Sequence, residues 1–234
     1  MSAQAAVSNA LRGSAVPSGL PTGFRPLDEA GQGASLPQGL AASVHAYGRD
    51  EEIFGQGEPA RYAYKVVSGV VRTYKVTSDG RRQIGDFHLA GDLFGLEASD
   101  THRVGAEVVA NASVLIIDRR RMTAIAASDS GFADQLWNSV MRDRDRAQEH
   151  LLLLGRRTAV ERVATFLLEM AARTSASDTI DLPMSRYDIA DHLGLTIETV
   201  SRAFTQLEKD GVIALETSRK IRLRNRAALR RLNA

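Results

Sequence analysis

The chain has 234 residues, of which 44% are hydrophobic, and its 30 basic and 28 acidic residues give a formal net charge of +2. This length suits one large domain or two modest ones, and the apolar content is normal for a globular protein. The sequence contains no cysteine, which excludes a disulfide, a thiolate zinc site and a cysteine-bound iron–sulfur cluster within this chain. No apolar run reaches the length of about 18 residues that a membrane span needs, and the start lacks a signal pattern, so we expect a cytoplasmic protein.

The composition and hydrophobic pattern of the sequence change near residue 39. Residues 1–38 are rich in Ala, Gly, Ser and Pro without a sustained period, which predicts a flexible tail. Residues 39–130 contain short alternating runs separated by Gly-containing turns, which predicts a small antiparallel β-barrel or jelly roll. In this interpretation "SG" at 68–69 and "SDG" at 78–80 both connect hairpin strands.

A long helix is predicted over residues 131–157, where apolar residues recur at spacings close to those of a coiled-coil seam. The simplest alternative is a surface helix packed only on its own barrel. The run "LLLL" at 151–154 is more apolar than one helix face needs, which favours a partner helix from a second subunit. The predicted dimer interface consists of Leu136, Val140, Ala147, Leu151 and Leu154.

Residues 158–234 are predicted to form a winged helix-turn-helix domain. After a helix over about 159–173, "SRYDIADHLGLTIETVSRAFTQLEKDG" indicates two helices joined by a tight turn. Gly194 supplies the turn, because a positive φ costs glycine little, and Thr196 is placed to cap the second helix. That helix buries Val200, Phe204 and Leu207 and turns its polar residues outward.

The wing is predicted from "GVIALETSRKIRLRN", which gives two alternating strands around "TSRK". Beyond Gly211 a single acid, Glu216, faces seven basic residues, Arg219, Lys220, Arg222, Arg224, Arg226, Arg230 and Arg231. Such a local excess of cations is suited to phosphate groups. The alternative is an ordinary helical hairpin with a solvated face, but the order of helix, Gly turn, polar-faced helix and basic hairpin favours DNA binding.

This arrangement resembles the CRP/FNR superfamily of bacterial transcription regulators from about residue 40 onward. "FHLAGDLFG" at 87–95 is similar to the Gly-Asp hairpin turn of the family's sensor barrel, and "LGLTIETVSR" is similar to the recognition element of the FixK-like branch. The resemblance implies an α+β chain with a cyclic-nucleotide-binding-like barrel, a dimerisation helix and a winged helix-turn-helix. It also implies a homodimeric activator that reads a TTGAT-N4-ATCAA palindrome and contacts RNA polymerase, in programmes of low-oxygen response and nitrogen fixation.

In that branch a Glu, two further residues and a Ser-Arg pair read the half-site, which here assigns base reading to Glu198, Ser201 and Arg202. Arg can contact guanine through two hydrogen bonds, and a carboxylate can accept from a cytosine amine. Alternatively Glu198 and Arg202, four residues apart, pair only with each other. The expected phosphate contacts, which position a protein without reading sequence, are Ser185, Arg186, Thr196, Thr199, Arg219 and Lys220.

The same resemblance indicates whether the predicted barrel binds an effector. Cyclic-nucleotide sensors of the family use a Gly-Glu-Leu turn and a later Arg-Ser pair, whereas this chain has Gly91-Asp92-Leu93, and Arg103 is followed by Val104. We therefore expect activity without a bound effector and a surface role for Arg103. His88 is expected to be structural rather than a haem ligand, and the five scattered His residues predict no metal site. We expect no cofactor.

Two other functions compete with this interpretation. A cyclic-nucleotide-responsive regulator of the same family would bind DNA only with added nucleotide. An enzyme of the cupin class needs a His-x-His pair with a nearby Glu and a later His, and neither "HRVGAE" nor "FHLAGD" supplies that pair. Because no motif of a hydrolase, P-loop or zinc protease occurs either, we expect a regulator and not an enzyme.

Overall fold

The computed structural model describes residues 40, 42–156, 158–174 and 178–232, so the predicted tail over residues 1–38 lies outside the described part of the chain. The first six strands form one sheet, which we call the large sheet: β1 (Ala42–Tyr47), β2 (Glu52–Phe54), β3 (Tyr62–Val76), β4 (Arg82–His88), β5 (Leu93–Phe94) and β6 (Gly105–Asp118). Its hydrogen-bonded order is β1-β6-β3-β4, with β2 paired to β6 and β5 paired to β3. Every pairing is antiparallel, as predicted, but among the described residues this path does not close into a barrel.

The prediction of a hairpin turn at 68–69 is wrong, because both residues lie inside the continuous strand β3. The register of β3 against β6 shifts at Ser68, which marks a β-bulge. Gly69 has a φ of +82°, and a Cβ there would lie 2.5 Å from the carbonyl oxygen of Asn111. The glycine therefore permits a close approach of two strands and not a chain reversal. The turn at 78–80 is confirmed, with Gly80 N–H donating to the Thr77 carbonyl at 2.9 Å.

Six helices and a small sheet follow in the described part of the chain. They are α1 (Arg119–Ser128), α2 (Ser130–Arg156), α3 (Ala159–Arg173), α4 (Arg186–Leu193), α5 (Ile197–Lys209) and α6 (Arg226–Leu232). The small sheet has the antiparallel order β7-β9-β8, from β7 (Thr179–Asp181), β8 (Ile213–Leu215) and β9 (Lys220–Leu223). None of the described helices is long and apolar enough to cross a membrane.

The C-terminal helices share a hydrophobic core with the large sheet. Ile84 and Phe87 of β4 belong to the same buried cluster as Leu153 of α2, Phe166 of α3 and Leu193 of α4. Burial, and next the neighbouring His150, lowers the pKa of His192 in α4 to about 3. The neutral ring stacks on His150 of α2 with centroids 4.1 Å apart. The His192 Nδ1 atom lies 3.3 Å from the Ile84 carbonyl oxygen. Because a carbonyl oxygen only accepts hydrogen bonds, Nδ1 is the donor in this contact. Helices α2 and α4 thus meet at strand β4.

A buried ionic cluster fixes α4 to the large sheet. Arg72 of β3 reaches the Asp188 carboxylate at 3.0 Å, and Arg82 of β4 reaches the same oxygen at 2.8 Å. Arg72 also contacts Glu107 at 2.9 Å, and Arg82 also contacts Asp191 at 2.9 Å. Because Arg72 and Asp188 are both buried, neither charge is compensated by water if its partner is removed.

We predict that Arg72→Met lowers the free energy of unfolding by about 3 kcal/mol, because the buried Asp188 carboxylate loses its buried cationic partner and keeps only the more exposed Arg82. The measurement is urea denaturation followed by circular dichroism. The control is Arg81→Met, in the turn before β4, whose side chain is 86% exposed and whose loss should change little. Equal midpoints for the two variants would show that the cluster does not hold the two parts of the chain together.

Candidate nucleic-acid interface

The turn between α4 and α5 is built by two helix caps and one glycine. Ser185 caps α4 in a capping box with Asp188, and α4 ends at Gly194, which has φ +61° and ψ +41°. Leu195 N–H donates to the Ala190 carbonyl at 3.0 Å, closing the turn. The Thr196 side chain then accepts from Thr199 N–H at 3.2 Å and starts α5. The predicted helix, Gly turn and Thr cap are confirmed.

Helix α5 has one buried and one exposed face. Its buried residues are Val200, Ala203, Phe204 and Leu207. On the other side lie the exposed side chains of Glu198, Ser201, Arg202 and Thr205, which we call the recognition face. Because these residues recur at helical spacing opposite the core, the domain presents a continuous polar strip of α5 to solvent.

The charged side chains of the recognition face are unengaged in the described part of the chain. No ion pair or hydrogen bond joins the Glu198 and Arg202 side chains to each other or to another described residue. Their pairing, the alternative considered for both, is therefore absent from this structure. A carboxylate and a guanidinium one turn apart on an exposed helix face are the acceptor and donor that base edges require.

The Ser201 hydroxyl already has a donor role. Its Oγ donates to the Ile197 carbonyl at 2.8 Å, and Thr205 Oγ1 donates in the same way to the Ser201 carbonyl at 3.0 Å. A hydroxyl has one proton and two lone pairs. In this rotamer Ser201 therefore offers an incoming base an acceptor and a methylene group, which suit an amino group and a thymine methyl respectively.

The residues predicted as phosphate contacts divide into two groups. The Ser185 hydroxyl is used within the α4 cap, since it donates to Asp188 Oδ2 at 2.8 Å and accepts from Asp188 N–H at 3.1 Å. The Arg186 guanidinium carbon lies 3.3 Å from the centre of the Phe204 ring, and burial lowers the pKa of Arg186 to about 10. Both side chains have internal roles, so we do not carry them into the proposed interface.

The remaining four predicted phosphate contacts point to solvent or lie at the start of α5. Thr196 and Thr199 stand with their hydroxyl oxygens 3.0 Å apart in the first turn of α5. In the wing between β8 and β9, the Thr217 hydroxyl accepts from the backbone N–H groups of Arg219 and Lys220 at 3.2 and 2.9 Å. Both cations are exposed at this tip, a position that suits the phosphate contacts predicted for the wing.

Tyr187 is a candidate contact that the sequence did not reveal. It is the second residue of α4, and its side chain is 65% exposed. An aromatic residue beside the inward-facing Asp188 and Ile189 gives a weak signal, because a tyrosine at that position is equally compatible with packing. Its phenol could donate a hydrogen bond to a phosphate oxygen.

The face of α2 available to a partner also differs from the predicted one. Leu136 packs against the buried cluster of Ile117 and Met122, and Leu154 lies against the turn, with its Cδ2 3.4 Å from a Cβ built on Gly194. Val140 is half-buried and Ala147 exposed. The large exposed apolar side chains of α2 are Trp137 at 63%, Leu151 at 70% and Leu152 at 64%. Of the five predicted seam residues, two therefore face their own chain.

A cleft of about 990 Å³ lies between the large sheet and α2, lined by His88, Phe94, Glu97, Arg103, Asp143 and Ala147, among others. The sequence comparison took Asp92 as the acid of a cyclic-nucleotide site, but Asp92 does not line this cleft. Its carboxylate instead accepts from Leu89 N–H at 2.8 Å and from Arg173 at 2.6 Å. The acid of this segment that lines the cleft is Glu97, five residues further along the chain, at the third position of Gly95-Leu96-Glu97.

The polar groups of the cleft are arranged unfavourably for a cyclic phosphate. Glu97 accepts from the Arg103 backbone N–H at 2.8 Å and contacts His102 Nδ1 at 3.3 Å, so each of its oxygens already has one partner within the protein. Burial raises the pKa of Asp143 to about 6, which leaves it mostly ionised at neutral pH. Arg103 lines the cleft rather than serving only at the surface, and Val104 beside it brings no hydroxyl. Among the described residues no group of three or more His, Cys, Asp or Glu could hold a metal ion.

Comparison with known proteins assigns both halves of the chain. A cyclic nucleotide-binding domain model matches residues 44–129, and a Crp-like helix-turn-helix model matches residues 161–232. FixK, the nitrogen fixation regulation protein of Azorhizobium caulinodans, is 47% identical over 212 residues, which are 88% of this chain and 85% of that protein. FixK of Rhizobium meliloti is 42% identical over 81% of this chain and 86% of its own length.

Solved structures agree with this assignment. The structure of FixK2 from Bradyrhizobium japonicum has a TM-score of 0.79 and 51% sequence identity, covering 83% of this chain and 98% of the other. The fold and the exposed face of α5 define a DNA-binding transcription regulator with a sensor-type domain. The chain belongs to the CRP/FNR family of transcription regulators, in its FixK branch. Nothing among these relatives indicates catalytic activity.

We predict that Gly194→Ala lowers the free energy of unfolding by about 1 kcal/mol, because an L side chain is disfavoured in the left-handed conformation. The new Cβ would lie 3.4 Å from the flexible Leu154 side chain, so backbone strain and not a clash dominates. Urea denaturation measures the change. Gly194→Asn is the matched control and should lose less, because Asn tolerates this conformation better; equal losses would contradict the explanation.

Proposed function

We propose that the chain acts as a homodimer that reads a TTGAT-N4-ATCAA palindrome without a bound effector and activates transcription in the bacterial cytoplasm. The observation that carries the proposal is the recognition face of α5, where Glu198 and Arg202 are exposed beside Ser201 on a helix capped at Thr196 and have no partner among the described residues. The resemblance of "LGLTIETVSR" to the FixK-type element assigns these three residues to the half-site. Two-fold symmetry of the protein would match the symmetry of the palindrome.

Each side chain has a defined chemical task in this proposal. Arg202 donates two hydrogen bonds to the O6 and N7 atoms of the half-site guanine, and Glu198 accepts from a cytosine amine. Ser201 presents its acceptor oxygen or its methylene group to a neighbouring base. Thr196, Thr199, Arg219, Lys220 and Tyr187 contact phosphate oxygens and set the register of the helix in the groove.

The dimer seam runs along the exposed apolar stripe of α2. Trp137 and Leu151 are fourteen residues apart, so they lie within about 40° of each other around the helix. Met141 and Leu152 lie beside them on the same side. An uncovered apolar stripe on a long helix is typical of a surface that a second helix covers. This stripe replaces Leu136 and Leu154 of the predicted seam and retains Leu151.

The cleft supports independence from cyclic nucleotides. A cyclic phosphate next to Arg103 would lie in a cleft that Asp143 also lines, and the Glu97 oxygens that would bind ribose are already bonded. One observation favours the alternative of a cyclic-nucleotide-responsive regulator, since Glu97 and Arg103 both line the same cleft. The DNA-binding experiment below therefore includes cyclic AMP.

The proposed biological role follows from the relatives. FixK proteins are named for the regulation of nitrogen fixation, and others at 37–38% identity are named transcriptional activators. We therefore propose an activator that contacts RNA polymerase in low-oxygen or nitrogen-fixation programmes. A binding site that overlaps a promoter would make the same dimer a repressor.

We predict that Arg202→Ala weakens binding to a TTGAT-N4-ATCAA duplex at least about 10-fold, because a bidentate base contact is worth about 1–3 kcal/mol. Fluorescence anisotropy with a labelled duplex measures the affinity, with and without cyclic AMP. Arg81→Ala removes another exposed cation, from the turn before β4, and should bind like the unaltered chain.

Three results would contradict parts of this proposal. Equal affinity for a duplex with scrambled half-sites would reject the base-reading role of the recognition face. Binding that requires cyclic AMP would establish the nucleotide-responsive alternative. If Arg202→Ala binds the duplex as tightly as Arg81→Ala does, residues other than Arg202 read the bases.

We predict that Leu151→Glu raises the dimer dissociation constant at least about 10-fold, because each subunit would bury a carboxylate in an apolar seam. Sedimentation velocity across a range of concentrations measures it. Arg142→Glu, on the opposite side of α2 by helical geometry, is the matched control. If both variants dimerise alike, the seam lies elsewhere; a monomeric unaltered chain would reject the dimer itself.

A further inference from the structure

Arg162 joins the ends of two helices that lie far apart in sequence. It lies in the first turn of α3, and its Nη1 donates to the Leu193 carbonyl at 2.8 Å and reaches the Gly194 carbonyl at 3.5 Å. Its Nη2 donates to the Leu154 carbonyl at 2.9 Å. One guanidinium therefore contacts both the last turn of α2 and the turn that leads into α5.

These carbonyls are chemically suited to a cation. The last four carbonyl groups of a helix have no partner within it, and the C-terminal end of a helix carries partial negative charge. Leu154 belongs to the last turn of α2 and Leu193 to the last turn of α4. The planar guanidinium of an arginine can donate to the ends of both helices at once in a fixed geometry. The ammonium group of a lysine has no such fixed arrangement of donors.

The surrounding contacts make this a tight junction. The Leu154 side chain lies against Gly194, where its Cδ2 would be 3.4 Å from a Cβ. The chain between α2 and α3 is short, since α2 ends at Arg156 and Thr158 caps α3 in a capping box with Glu161. Arg162 thus lies in the first turn after this short connection and ties α2 directly to the turn before the recognition helix.

We propose that Arg162 is the positioning residue that sets the spacing between the two half-sites. This inference rests on the proposed function, in which α2 carries the dimer seam and α5 reads the half-site. With α2 fixed at the dimer axis, the contact with Leu193 and Gly194 fixes where each α5 begins relative to that axis. Arg162 itself touches no base, so it governs the distance between recognition helices and not the choice of bases.

The first test measures affinity against spacer length. Duplexes carrying TTGAT and ATCAA separated by three to six base pairs are compared by fluorescence anisotropy, since each added pair moves a half-site by about 3.4 Å and rotates it by about 35°. We expect Arg162→Gln to lose at least about 10-fold on the four-pair spacer, because charge-assisted hydrogen bonds are lost. It should also flatten the preference among spacers while still rejecting scrambled half-sites.

Two variants separate positioning from folding. Arg162→Lys keeps the charge and can donate to one helix end at a time, so we expect it to restore part of the spacer preference. Arg142→Gln removes an exposed cation of α2 and should behave like the unaltered chain. If Arg162→Gln prefers the four-pair spacer as strongly as the unaltered chain does, the inference is overturned. Should Arg162→Gln not fold, a spacer preference in Arg162→Lys as strong as that of the unaltered chain overturns it instead.

The second test measures the distance between recognition helices without DNA. Because the sequence has no cysteine, Lys209→Cys provides a single spin-label site at the end of α5 in each subunit, for electron–electron double resonance. We expect a narrow distance distribution that broadens when Arg162→Gln is added. A distribution that stays narrow overturns the inference. If the distribution broadens but the unaltered chain shows no preference for TTGAT, the positioning role is supported and the proposed palindrome is rejected. Failure of the inference and failure of the proposed function therefore give different results.

Discussion

The contact between Arg72 and Asp188 is the constraint on which the relation between the two halves of the molecule depends. Asp188 accepts from the Ser185 N–H and hydroxyl groups at the start of α4, and from Arg72 and Arg82 of the large sheet. The same carboxylate therefore begins a helix and anchors it to a different domain. Because helix α5 packs on α4, the direction in which the recognition face points is set by this junction together with the shared core around Phe87.

The helix-turn-helix could be predicted almost completely from the sequence, because its signals are local. Gly194 marks a left-handed turn, Thr196 marks a cap, and the apolar residues of α5 recur at a single helical period. Each of these signals acts within a few residues, where backbone sterics and hydrogen bonding decide the structure without help from the rest of the chain. The bounds of α3 and the two wing strands follow from the same kind of evidence.

The features that were missed depend on contacts between distant residues. Gly69 looks like a turn residue, and only the approach of Asn111 on β6 shows that it belongs to a bulge. The stripe of α2 that faces outward cannot be read from periodicity alone, because Leu136 and Leu151 are equally apolar while only one meets its own chain. Likewise Asp92 and Glu97 both follow a glycine-containing turn, and the fold alone decides which of them lines the cleft.

Among the residues that the structure describes, the polar side chains of the recognition face bond only to their own helix. In the described part of the chain the Ser201 and Thr205 hydroxyls bond only to carbonyls of α5, and substitutions at such exposed positions usually change stability by no more than about 0.5 kcal/mol. Target choice and folding are therefore nearly separable in this architecture. A duplicated gene could acquire a new set of promoters through a few substitutions on α5, while the ionic junction and shared core that orient the helix were inherited unchanged.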